Sequence, residues 1–389
     1  MKKRKIIEIT ITSIILITLS IILVKYSYKK NKINITLTKK DIDVYEDIEL
    51  KDIINEDINL LNNKKIDTNH IGEHELEVKY KNKIFKYKEK IKVNIIDTIA
   101  PVILIKNKVV EQNTNLDLVN SYLCADNYDA RPNCYIEGTY NFDEIGTYNL
   151  KYIAVDSSNN KTEKNFKLTV KPKEKNNKKQ EESYIAYEDI VKKHKTENTK
   201  IGIDISKWQG EVDFKKLKEN NVEFIYIKLG GSHIDKDIYI DPYFIKNING
   251  AKEFNIPVGI YFYSNASSVE DIKNEINFIK ENIKDYKIDL GVTFDWENFT
   301  DFNSYNISLH TLNEMAEIFM TEFKNNNYDP MLYSSEYYLN NIWDIKDNVW
   351  IAKYADKNTY EGPYKIWQLC SDGKIDGING YVDIDVMYE

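Results

Sequence analysis

Three hydrophobic patterns follow one another along the chain, and each predicts a different kind of element. The first is an apolar run from Ile6 to Val24, broken near its start only by Glu8 and by small hydroxyl residues, and preceded by Lys2-Lys3-Arg4-Lys5. A helix rises about 1.5 Å per residue, so this run can cross a bilayer core of roughly 30 Å. Its exit, Lys25-Tyr26-Ser27-Tyr28, lacks a small-x-small cleavage pattern. An uncleaved single-pass anchor is therefore expected, with the basic tip in the cytoplasm and everything after residue 30 outside.

From Ile33 to about Val170 the pattern changes to short period-2 alternation, as in Glu75-Leu76-Glu77-Val78-Lys79-Tyr80 and Lys90-Ile91-Lys92-Val93-Asn94-Ile95. One apolar face per strand is what a sheet packed on one side requires. Ile71-Gly72 followed by Leu76 recurs as Ile145-Gly146 followed by Leu150, which predicts two small β domains, 31–97 and 98–171. Residues 172–199 read as a charged, solvated linker with a short helix over Tyr184 to Val191.

From Lys200 onward strand-like runs alternate with amphipathic ones. The strands are Ile201–Ile205, Phe224–Lys228, Val258–Phe262, Gly291–Trp296, Met331–Tyr333, Val349–Ala352, Lys365–Gln368 and Val382–Val386. Ser268 with Asp271 caps a helix whose apolar face is Ile272, Ile276, Ile279 and Ile283, and Ser308 opens another with Leu312, Met315, Phe319 and Phe323. Strands joined by helical crossovers predict an α/β barrel, in which chemistry sits at the strand C-terminal ends.

Composition narrows the function. A net charge of -8 with no basic stripe on a folded segment argues against nucleic acid as a partner. The five histidines are scattered and no Cys-x-x-Cys or His-Glu-x-x-His run occurs, so neither a metal site nor a cofactor is expected. A disulfide between Cys124 and Cys134 would close a loop of about ten residues and stabilise by roughly 2–3 kcal/mol outside the cell; two unrelated thiols is the other reading. Within the predicted barrel, several strands end in acids or aromatic rings: Asp204, Lys228, Tyr261 with Tyr263, Asp295 with Glu297, Tyr333, Trp367 with Gln368, and Asp383. Asp295 and Glu297 are two residues apart on a strand end and share one side of it. Carboxylates beside apolar rings are what glycosidic cleavage needs, because one must stay protonated while another stays ionised, and aromatic faces stack on sugars.

Two resemblances rest on these motifs. Asp97-Thr98-Ile99-Ala100-Pro101, Asp126-Asn127-Tyr128-Asp129, Ile145-Gly146-Thr147-Tyr148 and Ala154-Val155-Asp156 resemble bacterial immunoglobulin-like repeats of surface proteins, well in the second copy and weakly in the first. Such domains are usually spacers, with an exposed loop that can meet a polysaccharide or a cell-envelope protein. Residues 200–389 resemble the Ch-type lysozymes of glycoside hydrolase family 25, through Gly202-Ile203-Asp204-Ile205-Ser206-x-Trp208-Gln209-Gly210, Asp241-Pro242-Tyr243-Phe244, Gly259-Ile260-Tyr261-Phe262-Tyr263, Asp295-Trp296-Glu297, Trp350-Ile351-Ala352-x-Tyr354, Trp367-Gln368 and Gly377-Ile378-x-Gly380-x-Val382-Asp383. The chain departs from the family pattern after the second strand, where Lys228-Leu229-Gly230-Gly231-Ser232 replaces K-A-T-E-G, and at Phe262, where the family often has histidine.

The second resemblance implies hydrolysis of the β-1,4 bond between N-acetylmuramic acid and N-acetylglucosamine in peptidoglycan. It places Glu297 as general acid. Asp295 would orient the substrate's N-acetyl group or act directly as nucleophile or base, with Asp204 and Asp383 tuning the pair and binding substrate. Tyr261, Tyr263 and Trp367 become sugar platforms, and Lys228, Tyr333, Tyr354 and Gln368 complete the expected substrate-binding set. The whole chain is then a multi-domain protein: a transmembrane helix (1–30), two all-β immunoglobulin-like sandwiches, a linker, and a C-terminal irregular α/β, TIM-like barrel (200–389). Its expected partners are peptidoglycan strands and the cell membrane. The alternative is a lysozyme fold that binds the wall with little or no catalysis.

Overall fold

The computed structural model describes residues 2–173, 184–235 and 237–389; most of the charged run that opens the predicted linker lies outside the described residues. The chain divides into two compact units, Met1–Ile99 and Ala100–Glu389.

The first unit begins with α1 (Lys2–Lys30), of which Arg4–Lys30 is long and apolar enough to cross a membrane. Its interrupting hydroxyls, on Thr10, Thr12, Thr18 and Ser20, each donate to the carbonyl four residues back, so none needs water. Four strands follow, β1 (Asp41–Asp43), β2 (Asn59–Leu60), β3 (Gly72–Asn82) and β4 (Phe85–Ile96), in one sheet of order β1-β4-β3-β2. Val78, Tyr80, Val93 and Ile95 point inward, while Lys90–Glu75 and Lys92–Glu73 pair across the solvent face. The period-2 signal is this division of faces.

The second unit opens with a β domain of β5 (Val102–Leu104), β6 (Lys108–Glu111), β7 (Leu123–Ala125), β8 (Asn133–Glu137), β9 (Gly146–Val155) and β10 (Lys161–Lys171). A four-stranded sheet, β6-β10-β9-β8, faces a two-stranded ribbon of β5 and β7 across a core that includes Ile103, Cys124, Tyr152 and Phe166. Cys124 and Cys134 are joined in a disulfide with a Cα–Cα distance of 6.5 Å, which ties β7 to β8.

The remaining elements are β11 (Ile185–Ala186), α2 (Tyr187–His194), β12 (Thr199–Ile205), α3 (Phe214–Glu219), β13 (Ile225–Ser232), β14 (Ile238–Ile240), α4 (Phe244–Glu253), β15 (Val258–Tyr263), α5 (Val269–Ile283), β16 (Val292–Asp295), α6 (Phe302–Tyr305), α7 (Leu309–Asn325), β17 (Pro330–Ser335), α8 (Glu336–Leu339), β18 (Val349–Ala352), β19 (Ile366–Lys374) and β20 (Val382–Tyr388). Residues 184–198, expected as linker, instead belong to this domain: β11 pairs with β19, and Tyr187 and Ile190 of α2 are buried against the strands.

Eight strands close into a barrel in the order β12-β13-β15-β16-β17-β18-β19-β20. The first seven are parallel, whereas β20 runs antiparallel to both β19 and β12. Side chains alternate across this wall except where β13 and β19 bulge. Outward positions such as Ile203, Ile227, Ile260, Phe294 and Ile351 are buried with the amphipathic faces of α5 and α7, which carry the predicted Ile272, Ile276, Leu312 and Phe319. Inward positions fill the lower barrel with Phe224, Tyr226, Met331, Trp350, Ile366 and Met387. Rings this large need glycine opposite them: a Cβ at Gly259 would lie 2.2 Å from the Tyr226 ring. An eight-stranded barrel is just filled by such side chains, so the polar inward residues are displaced to its upper rim.

Candidate active site

The rim is built by strand parity. Asp204, Lys228, Tyr261, Tyr263, Asp295, Tyr333, Gln368 and Asp383 all occupy inward positions in register with the aromatic layer below them. Asp383 lies at the start of β20, not at a strand end as in the sequence reading. Because β20 is antiparallel, its first residues reach the same rim, and Asp383 stands opposite Asp204 in the ladder.

Asp295 and Glu297 stand close enough for each carboxyl to shift the titration of the other. Asp295 is buried at 4% exposure, and burial first, then the neighbouring Glu297 charge, raises it well above the usual carboxylate range. Glu297 is open to the cleft, yet the surrounding walls strip much of its hydration and raise it as well. The pair therefore retains a proton under conditions where a free carboxyl would lose it. The Lys228 ammonium, itself lowered by burial, favours the ionised form of both acids. It lies 4.6 Å from the Tyr263 ring centroid and 5.9 Å from that of Tyr261.

Across the rim is a second acidic group that includes a residue the sequence reading missed. Asp385 is fully buried and accepts from the Trp350 indole at 2.9 Å, and the neighbouring Asp383 charge adds to the burial that raises it. The spacing that drew attention to Asp295 and Glu297 also holds for Asp383 and Asp385, two residues apart on one strand face, and would have found it. Gln368 donates to Asp204 at 2.8 Å and accepts from Tyr333 at 2.8 Å and Tyr354 at 3.1 Å. Burial raises all three aspartates, with Asp383 held at about 6. Beside Glu297 a cavity of about 310 Å³ is lined by Phe299, Tyr333, Tyr338 and Tyr354 among others.

Trp367 does not join this cleft. It falls between the inward Ile366 and Gln368, so its ring points outward, 2% exposed, packs edge-on to His194 and donates to the Lys353 carbonyl at 2.8 Å. It is a wall residue, not a sugar platform.

The Lys228-Leu229-Gly230-Gly231-Ser232 departure has a local cause. The chain bulges after Lys228 and pairs with β14, and a Cβ at Gly230 would lie 1.9 Å from the Tyr239 carbonyl oxygen. Ser232 then donates to Glu275 of α5 at 2.6 Å, and Ser264 donates to the other oxygen at 2.7 Å. The Ser264 amide holds the Asp295 carbonyl at 2.7 Å, while Asn265 accepts from Asn298 at 2.8 Å and from the Tyr305 hydroxyl. Glu275 thus ties together the ends of β13 and β15, the strands on one side of the Asp295-Glu297 pair.

Residues 203–378 match the family model described as glycosyl hydrolases family 25. This stretch, a little under half of the chain, is similar to that family. The chain is 30% identical over 206 residues to the autolytic lysozyme of Clostridium acetobutylicum, covering 48% of this chain and 56% of that protein, so it spans about half of that relative's length. It is also similar to the modular autolysin LytC of Streptococcus pneumoniae, solved in complex with a synthetic peptidoglycan ligand, at 26% identity and a TM-score of 0.45 over 61% of this chain and 56% of that one. A family 25 glycosyl hydrolase from Bacillus anthracis aligns at 22% identity with a TM-score of 0.42, over 50% of this chain and 92% of that chain. The carboxylates described above lie within the family 25 match, except Asp383 and Asp385, which follow its end.

Proposed function

We propose that the chain is a membrane-anchored, extracellular peptidoglycan hydrolase that cleaves the β-1,4 bond between N-acetylmuramic acid and N-acetylglucosamine. The observation that carries this reading is the adjacent pair of a buried Asp295 and an open Glu297, the latter on the wall of a tyrosine-lined cleft. Glu297 is the member open to the cleft, so it delivers the proton to the leaving glycosidic oxygen. As that proton leaves, the negative charge stays on the Glu297 carboxylate, where the nearby Lys228 ammonium offsets it. The reading routes attack on the anomeric carbon through the substrate's own acetamido group, which the buried Asp295 would orient. Asp383 faces the developing oxocarbenium charge from across the rim, with the buried Asp204 and Asp385 behind it and Tyr261, Tyr263, Tyr333 and Tyr354 as the apolar and hydroxyl-bearing walls.

The apolar helix Arg4–Lys30 supports anchoring, and the Cys124–Cys134 disulfide supports an oxidising compartment outside the membrane. The β domains are read as immunoglobulin-like modules that carry the hydrolase away from the bilayer and present it to the wall.

The test is turnover of purified peptidoglycan by the full chain in detergent micelles, followed as released reducing ends. Glu297→Gln should lower turnover by 10²-fold or more, the range expected for losing a general acid, with an unchanged thermal melt. Binding to insoluble peptidoglycan without release of reducing ends, in wild type and variant alike, would instead identify a wall-binding protein.

A further inference from the structure

The ribbon of β5 and β7 is apolar on both faces, which a free-standing spacer domain has no reason to be. Ile103 and Cys124 point into the β domain's own core, whereas Leu104, Leu123 and Ala125, alternating with them, join the hydrophobic core of the barrel domain. All three residues of β7 are buried, with Ala125 at 1% exposure. A sheet covered on both sides is an internal layer, not a surface.

What the ribbon covers is the loop that follows Glu297. β7 lies against α6 and against the 3-10 turn Phe299–Asp301. From that turn, Phe299 stacks on Tyr338 of the cleft wall with ring centroids 3.7 Å apart, and Phe299, Phe302 and Tyr305 enclose the Trp296 ring edge-on at 5.0, 5.8 and 5.1 Å. Trp296 is the residue between Asp295 and Glu297. A continuous packed path therefore runs from the β domain to the acid pair.

Hydrogen bonds reinforce the contact. The first amides of a helix have no intrahelical acceptor. In α7 two of them, on Leu309 and His310, donate to the carbonyls of Asp126 and Asn127 in the loop after β7, at 2.7 and 3.3 Å. That loop is the acidic Asp126-Asn127-Tyr128-Asp129 motif, folded on itself by Asp126 accepting from the Tyr128 and Asp129 amides at 3.0 and 2.8 Å. The segment read from sequence as an exposed recognition loop is turned into the barrel and caps one of its helices. Beside it, Lys106 lies 4.4 Å from the centroid of the Tyr337 ring.

We propose that the β domain of residues 100–171 is a working part of the catalytic module, whose β5–β7 ribbon acts as the positioning element that holds the loop from Trp296 to Tyr305 and so aims Glu297 into the cleft. The catalytic half of this statement rests on the hydrolase reading above; the structural half does not. The ribbon residues touch no substrate and act through Phe299, Phe302 and Trp296.

The experiment uses the full chain in detergent micelles, with hydrogen exchange and peptidoglycan turnover measured on the same preparations. Ala125→Glu places a charge in the apolar contact. It should raise amide exchange across residues 298–310 by tenfold or more and lower kcat at least tenfold with KM within twofold, while β9 and β10 keep their protection. If exchange across 298–310 and kcat both stay within twofold of wild type, the β domain is a spacer and the proposal fails. Should Ala125→Glu also strip protection from β9 and β10, the milder Leu123→Ala decides instead: faster exchange confined to 298–310 supports the proposal, and unchanged exchange overturns it. A wild-type protein inert on every wall substrate would remove the hydrolase reading, and the exchange data would still settle what the ribbon holds.

Discussion

Glu275 is a carboxylic acid placed where ionisation is least favoured, on the buried side of α5. Burial, with the Asp271 charge adding to it, lifts it from 4.5 to about 7 against the pull of two serine hydroxyls. A folded-state pKa above the unfolded one favours the neutral acid in the fold. Its stabilising contribution is full below about pH 4.5 and is lost as pH rises through about 7. Glu275→Gln keeps the shape and one acceptor but cannot ionise. The variant should therefore match wild type at pH 4.5 and exceed it at pH 8 by on the order of 3 kcal/mol in denaturant unfolding. Parallel stability curves for the two proteins across that range would show that Glu275 does not titrate in the fold. Because its hydroxyl partners also hold the Asp295 carbonyl and Asn265, wild-type turnover should weaken on the alkaline side over the same interval.

At the scale of elements, parity decides which residues meet substrate, and this is where the sequence was read best and worst. The capped amphipathic helices α5 and α7 and the eight barrel strands were legible, because a 3.6-residue or a 2-residue period is a property of local sequence alone. Asp204, Asp295 and Glu297 were legible for the same reason, as acids at the ends of apolar runs. Trp367 was misjudged because aromatic character was weighed without its parity: Ile366 and Gln368 face inward, so the ring between them cannot. Trp367→Ala should accordingly cost about 3–5 kcal/mol of stability, as loss of a buried indole does, and leave KM within twofold. A tenfold rise in KM with an unchanged melt would restore it as a sugar platform. The antiparallel run of β20, and with it the true position of Asp383 and Asp385, was not legible, since strand direction is set by which partners close the barrel. The Gly230-Gly231 pair likewise has no local explanation and is fixed by the close crossing of β14.

At the scale of the molecule, period and composition separated three folded domains, yet the chain forms two compact units, with Ala100–Glu389 as one of them. Nothing in the pattern of β5 and β7 distinguishes a strand buried on both faces from a short strand of an isolated sandwich, so this union could not be read in advance. It has a thermodynamic consequence that the tryptophans can report. All five, Trp208, Trp296, Trp343, Trp350 and Trp367, lie in the barrel domain, whereas the Cys124–Cys134 bridge lies in the β domain. The remaining thiol, Cys370, is free and buried, so a reductant changes only the bridge. Opening a loop of this size removes roughly 2–3 kcal/mol in the chain-entropy model. Were the two domains to unfold independently, that loss would fall on the β domain alone and the tryptophan melt would not move. If Leu104, Leu123 and Ala125 couple the cores into one cooperative unit, the loss is shared by the barrel, and reduction should lower the tryptophan-detected midpoint by roughly 5 °C. The same shift should appear in far-ultraviolet dichroism of the unit, and its absence under complete reduction would mean that the ribbon contact, although buried, does not transmit stability between the two cores.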